Sequence, residues 1–302
     1  MTTNLVSSSP RRLGPDGPEV GALGYGTWRL TSPDVAVNQQ LIETALDHGI
    51  NLIDTADVYG LDHGGTGFGE NEERLGQVLA AAPALRDRMV LATKGGIMPP
   101  LPYDSSPDYL RAAVDASLAR LGVEHIDLWQ IHRPDMFTHP ADVAATLEEL
   151  HAAGKIGMVG ISNFTVDQYD ALAHHLSLPI VATQPEYSVA HLQPLRDGMF
   201  DRSMRDGMVP LAWSPLAGGR LLTGEGMRPE LLETVDRLAE REGVDRATIA
   251  IAFVLAHPSK PVALLGTQTP ERLIEARKAF DVTLDRNDVY DIVAASEGQP
   301  LP

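Results

Sequence analysis

Eight short apolar runs recur along the chain with longer amphipathic stretches between them, and this alternation constrains the fold more than any single motif does. The runs are Val20–Gly24, Ile50–Ile53, Met89–Thr93, Ile126–Ile131, Gly157–Ile161, Ile180–Thr183, Val209–Trp213 and Val262–Leu265. Runs of strand length separated by helical stretches are the pattern of βα units around a parallel sheet. Leu110, Val114, Leu118 and Leu121 share one face at helical spacing behind Ser106 and Pro107, an N-cap and a first-turn proline. The pattern repeats with Val143, Leu147 and Leu150 after Pro140, with Leu231, Val235 and Leu238 after Pro229, and with Leu273 and Arg277 after Thr269 and Pro270.

A chain of 302 residues can hold two ordinary domains or one large barrel. No linker, composition shift or sequence repeat divides it. The expectation is an α/β fold, a (β/α)8 TIM barrel over residues 1–302 as one domain, with an N-terminal extension and a short C-terminal helix and tail. An open doubly wound sheet is the competitor. It would carry spaced glycines after an early strand, whereas the glycine-rich Gly60–Gly69 contains no G-x-G-x-x-G and follows no strand directly.

Where each run ends is informative. Asp54 follows the second, Lys94 the third, His132 the fourth, Ser162 and Asn163 the fifth, Gln184 the sixth and Ser214 the seventh, while Thr267 lies just beyond the eighth. In a closed barrel these residues converge on the C-terminal face, where such barrels build active sites.

Composition narrows the function classes. The net charge of -17 opposes nucleic acid and anionic membrane, which would be repelled. The absence of cysteine excludes disulfides, thiolate metal sites and a cysteine nucleophile, and it suits a reducing compartment. Met1 to Pro18 has no apolar core of signal-peptide length, and no run approaches a membrane span. A cytoplasmic enzyme, monomeric by default and acting on a small molecule, is expected. A zinc hydrolase on the same barrel would place clustered histidines at strand ends, but none ends in H-x-H, so no metal is expected.

Three segments carry the chemistry: Asn51-Leu52-Ile53-Asp54-Thr55-Ala56-Asp57-Val58-Tyr59, Leu91-Ala92-Thr93-Lys94-Gly95-Gly96 and Leu128-Trp129-Gln130-Ile131-His132-Arg133-Pro134-Asp135. Together they resemble the tetrad segments of the aldo-keto reductase family. Gly26-Thr27-Trp28, Gly160-Ile161-Ser162-Asn163-Phe164, Gln184, Trp213-Ser214-Pro215-Leu216 and Gly266-Thr267-Gln268-Thr269-Pro270-Glu271-Arg272 stand in the family's order over nearly the whole chain. The His-Arg-Pro-Asp and Gly-Gly-Arg-Leu segments resemble a bacterial oxidoreductase subgroup.

The resemblance implies NADP(H)-dependent reduction of an aldehyde or ketone, with Tyr59 as proton donor and Lys94, Asp54 and His132 completing the catalytic set. The residue types suit the reaction. Hydride reaching a carbonyl carbon leaves negative charge on the oxygen, so a donor is needed there. A phenol titrates near ~10, and a neighbouring ammonium brings it closer to working pH. Asp54 is the partner that would keep a buried Lys94 charged and aimed. His132 would fix the carbonyl's angle, and Trp28, Tyr59 and His132 would line the substrate pocket.

For the cofactor, the resemblance implies that Trp213 stacks on the nicotinamide and that Ser162, Asn163 and Gln184 take its carboxamide. Ser214, Leu216, Gly218 and Arg220 would cross the pyrophosphate. Arg272, beside a helix start at Thr269 and Pro270 that favours an anion, fits the 2′-phosphate of NADP. Gly26, Thr27, Trp28, Asp54, Pro215, Gly266, Thr267, Gln268 and Glu275 complete the set. Many relatives carry lysine where Gly266 stands and asparagine where Ala276 stands, so NAD(H) is expected as the weaker alternative. Relatives of this fold also serve as nucleotide-sensing channel subunits, and the complete tetrad favours catalysis. Glu70, Glu72 and Glu73 read as the solvated first turn of a helix with no chemistry, and Trp129 reads as core.

Overall fold

The computed structural model describes residues 3–61 and 63–301. Two short strands, β1 (Arg11–Arg12) and β2 (Glu19–Val20), form an antiparallel hairpin. Eight parallel strands follow: β3 (Leu23–Gly26), β4 (Leu52–Asp54), β5 (Val90–Gly95), β6 (Ile126–Ile131), β7 (Ile156–Ser162), β8 (Ile180–Gln184), β9 (Val209–Ala212) and β10 (Val262–Leu265). They lie side by side in chain order, and β10 pairs with β3 to close a (β/α)8 TIM barrel.

The prolines mark helix starts as expected. Helices Pro107–Leu121, Pro140–Ala152, Pro229–Glu242 and Pro270–Ala276 each carry proline in the first turn, where its missing N–H has no partner to lose. Ser106 Oγ accepts from Tyr109 N at 3.4 Å, closing the cap of the first of these. The last helix, Arg286–Glu297, begins with a reciprocal capping box between Asp285 and Asp288.

One expected strand is corrected. Val20–Gly24 is not continuous, because Val20 pairs with Arg11 in the hairpin and the barrel strand begins at Leu23. The break falls at Gly21, where a Cβ would lie 2.2 Å from the Gly49 carbonyl oxygen. The seventh run also ends one residue early, since Trp213 leaves β9 and bridges to Glu186.

Alternation along the strands sorts the side chains into two cores. Leu52, Val90, Ala92, Leu128, Val181, Ala182, Val209, Leu211, Val262 and Leu264 form one cluster inside the barrel. Ile53, Leu91, Trp129, Ile131 and Ile161 belong to the other, beneath the helices. Gly24 is needed where the interior is tightest, because a Cβ there would sit 2.7 Å from Leu264 Cδ2. Leu13 and Val20 of the hairpin join the inner cluster and plug its lower end. Burying each such side chain is worth about 1.5–3 kcal/mol.

Arg11 ties the plug down by donating from Nε to the carbonyls of Lys260 (3.1 Å) and Pro261 (3.2 Å), and from Nη2 to Ser7 O (2.9 Å). Burial lowers its pKa to about 10, which leaves it charged at neutral pH.

Candidate active site

The alternation that packs the lower barrel with aliphatic groups sets polar residues above them. Two residues beyond Leu52 comes Asp54, two beyond Ala92 comes Lys94, two beyond Leu128 comes Gln130, and two beyond Ala182 comes Gln184. All four are buried. Lys94 is fully enclosed, and its ammonium donates to Asp54 Oδ2 at 2.6 Å and Thr55 O at 2.8 Å. It also hydrogen-bonds to the Tyr59 side chain. Burial by itself would lower the lysine pKa. The Asp54 carboxylate and the Tyr59 oxygen outweigh it and hold the ammonium above the ordinary lysine range. Asp54 Oδ1 is steadied from the other side by Gln130 Nε2 at 3.1 Å and Gln184 Nε2 at 3.0 Å.

Tyr59 is half-buried on the loop after β4, with its ring centroid 5.0 Å from Lys94 Nζ and 5.7 Å from the His132 ring, which it meets edge-on at 79°. Asn71 N donates to Tyr59 O at 3.3 Å. Asn71 Nδ2 reaches Thr27 O (2.8 Å) and Trp28 O (3.1 Å), so one buried asparagine joins the loop to the β3 exit. His132 is buried, and burial, then the Lys94 charge, then Arg133 depress its pKa well below the usual histidine value. The imidazole is therefore neutral at physiological pH and carries a single N–H.

Across the barrel mouth, Ser162 Oγ donates to Gln184 O at 2.9 Å and accepts from Asn163 Nδ2 at 2.7 Å. Asn163 sits at φ 58° and accepts Trp213 Nε1 at 3.2 Å. The structure thus brings Ser162, Asn163, Gln184 and Trp213 into one connected group. The Gln184 NH2 is engaged with Asp54 and Gln130 Oε1, so only its carbonyl end is open to a carboxamide. The loop after β9 turns through positive φ at Ser214, Ala217, Gly218 and Gly219.

Arg29 Nη2 donates to Gly218 O at 2.9 Å and its Nε to His63 Nε2 at 3.1 Å, while the His63 ring meets Trp28 tilted by 43° with centroids 4.0 Å apart. Arg220 is exposed, with its Nε turned onto Ala217 O at 3.1 Å. Pro215 is buried and Leu216 half-buried on the same loop.

Beyond β10, a Cβ on Gly266 would meet open space. Thr267 Oγ1 accepts from Thr269 N at 3.2 Å, and Gln268 Nε2 reaches Tyr25 Oη at 3.5 Å. Arg272 is exposed in the first turn of helix Pro270–Ala276 and makes no ion pair among the described residues, whereas Glu275 lies 4.0 Å from Lys278 Nζ. The exposed Arg272 guanidinium is a donor that fits a dinucleotide's phosphates, whereas in the loop after β9 the Ala217 and Gly219 amides are already bonded to Ser214 O and Leu216 O. Among the described residues no group of histidines and acids could hold a metal ion, and no helix is long and apolar enough to cross a membrane.

One acid is corrected. Glu72 is fully buried, not solvated: it accepts from Thr93 Oγ1 at 2.5 Å and pairs with Arg120 at 2.6 Å. Glu70 instead pairs with Arg74 at 2.6 Å. Four polar residues beside the site were not assigned from sequence: Gln130, Asp57, Glu72 and Tyr109. Only Gln130 left a usable signal there, since it stands two residues before His132 on the same side of its strand.

The chain that builds this barrel and this buried Lys–Asp pair is similar to known proteins. The profile of the Aldo/keto reductase family fits residues 22–297, and the chain belongs to that family. It is 47% identical to a 6-dehydroglucose reductase of Novosphingobium aromaticivorans, with 97% of each chain covered. Identity to a 6-dehydroglucose reductase of Agrobacterium fabrum is 35%, covering 94% of this chain and 96% of that one. Among solved structures, the glycerol dehydrogenase of Gluconobacter oxydans superposes with TM-score 0.83 at 29% identity over 98% of both chains.

Proposed function

We propose that this protein reduces the aldehyde group of a sugar or similar polyhydroxylated molecule to an alcohol, with NADP(H) as preferred cofactor and NAD(H) as the weaker one. The observation that carries the reading is the buried ammonium of Lys94, held by Asp54 at 2.6 Å and hydrogen-bonded to Tyr59. A bound nicotinamide supplies the hydride. Tyr59 gives its proton to the carbonyl oxygen, and Lys94 stabilises the phenolate that remains. Asp54 holds Lys94 charged and in place. His132, neutral, donates its N–H to the same oxygen and orients it without competing as the acid.

Family membership supports a nicotinamide cofactor and a small-molecule carbonyl substrate. The sugar aldehyde is suggested by the two similar 6-dehydroglucose reductases. The absence of cysteine suits the cytoplasm, and the protein is read as a monomer. The direct test follows NADPH oxidation with a panel of simple aldehydes, ketones and a hexose carrying an aldehyde at C6. Turnover fastest with the sugar aldehyde supports the reading. Tight NADPH binding without turnover of any member would favour a nucleotide sensor.

Arg272 carries the cofactor preference in this reading. Arg272→Ala should raise the Kd for NADPH by about 10- to 100-fold, the worth of a charged hydrogen bond, and leave NADH nearly unchanged. Titration of cofactor fluorescence measures both, and equal losses would place the 2′-phosphate elsewhere.

A further inference from the structure

Two of the unassigned residues meet behind the tyrosine loop. Asp57 stands two residues before Tyr59 and is buried, with 1% of its surface exposed. Its backbone N donates to Lys94 O at 2.9 Å. Its Oδ2 accepts from the Tyr109 hydroxyl at 2.9 Å, and that hydroxyl in turn accepts from Gly96 N at 3.2 Å. The phenol of Tyr109, on helix Pro107–Leu121, therefore spends its proton on the segment that carries Tyr59 and its lone pair on the segment that carries Lys94. There is no slack in the arrangement, because a Cβ on Gly95 would lie 2.7 Å from Trp129 and 3.0 Å from Asp57 Oδ2.

We propose that Asp57 and Tyr109 form a clasp that fixes the Tyr59 hydroxyl relative to the Lys94 ammonium, and that both are positioning residues for carbonyl reduction. The proposal rests on Tyr59 being the proton donor. A displacement of about 1 Å at a reacting group can cost roughly a hundredfold in rate, so a tie between the two segments matters even though it touches no substrate.

The clasp also carries a charge that changes near neutrality. Asp57 Oδ1 is buried without a hydrogen-bond partner. Burial first, then the neighbouring Glu72, raise the Asp57 pKa to about 7, against smaller opposing contributions from the Tyr109 hydrogen bond, Arg120 and the Val58 amide. The charged and titratable groups that act on it are Glu72 from helix Glu70–Ala81, and Tyr109 and Arg120 from helix Pro107–Leu121. Below about pH 7 Asp57 is neutral. Above it, a new negative charge two residues from Tyr59 makes the phenol hold its proton more tightly, so reduction slows as pH rises.

The test measures kcat, KM and their pH dependence for Tyr109→Phe, Asp57→Ala and Asp57→Asn, per folded molecule. Tyr109→Phe and Asp57→Ala should lower kcat by about 10- to 100-fold with little change in the Kd for NADPH. Asp57→Asn retains an acceptor for Tyr109, so it should recover most of the turnover lost in Asp57→Ala and lack the decline in kcat near pH 7. In a Tyr59→Phe background, Tyr109→Phe should add little, because the two act through one group. If the variants melt at lower temperature but keep the wild-type kcat and pH profile, the clasp is only structural and the proposal fails. If Tyr59→Phe itself keeps full turnover, the failure lies with the proton donor instead.

Discussion

Tyr59→Phe is expected to lower kcat for carbonyl reduction by about 10²- to 10⁴-fold, the usual worth of a positioned general acid, and to leave NADPH binding within a factor of about two. The substitution removes one oxygen and keeps the ring, so the contact with Lys94 Nζ at 5.0 Å and the edge-on meeting with His132 can persist. Neither His132 nor Lys94 can take over the proton. His132 is held neutral by burial and by the adjacent Lys94, and the Lys94 ammonium is committed to Asp54 Oδ2, Thr55 O and Tyr59. Steady-state assay with cofactor titration separates the two effects. Turnover within tenfold of wild type would mean that the oxyanion is protonated by something else.

The second large effect is on folding. Lys94→Met leaves the Asp54 carboxylate buried with only the Gln130 and Gln184 amides for company, and breaking such a pair costs about 3–5 kcal/mol. Replacing both members, as Lys94→Met with Asp54→Leu, should restore much of that stability while activity stays lost, because a well-packed apolar pair is near neutral in energy but offers the phenol no cation. Urea unfolding midpoints and kcat measured on the three proteins distinguish the two roles.

The sign of the pH dependence follows from the raised Lys94 pKa. Its stabilisation is fully present below about 10.5, the unfolded value, and is lost only as pH rises through the folded one. A single variant as stable as wild type would contradict the burial of this pair.

Much of this is legible in the sequence. The strand ends announced Asp54, Lys94 and His132 because a barrel forces every second residue inward and every run to finish on one face. The hairpin is not legible, since Val20 reads as the start of an apolar run and nothing in the sequence announces its pairing with Arg11. Glu72 is hidden from the sequence for a related reason. In sequence it is one of three acids in a helix's first turn, and its burial depends on Thr93 in β5 and Arg120 on another helix. Tyr109 gave no sign either, because a tyrosine in the first turns of an amphipathic helix looks like packing until its hydroxyl is seen to join two loops. Gln184 ends β8 as its place in the sequence suggests, but that its amide nitrogen is taken by Asp54 and Gln130 is information the sequence does not carry.

Leu13 and Val20 seal the base of a barrel that Leu52, Leu128 and Leu264 already fill, so the molecule is a shallow cup and never a pipe. Nothing admitted at the rim can be passed out beneath, so what arrives and what departs share one doorway. Alterations to the surrounding loops will therefore change uptake and release together, and selecting for faster entry also selects for faster exit.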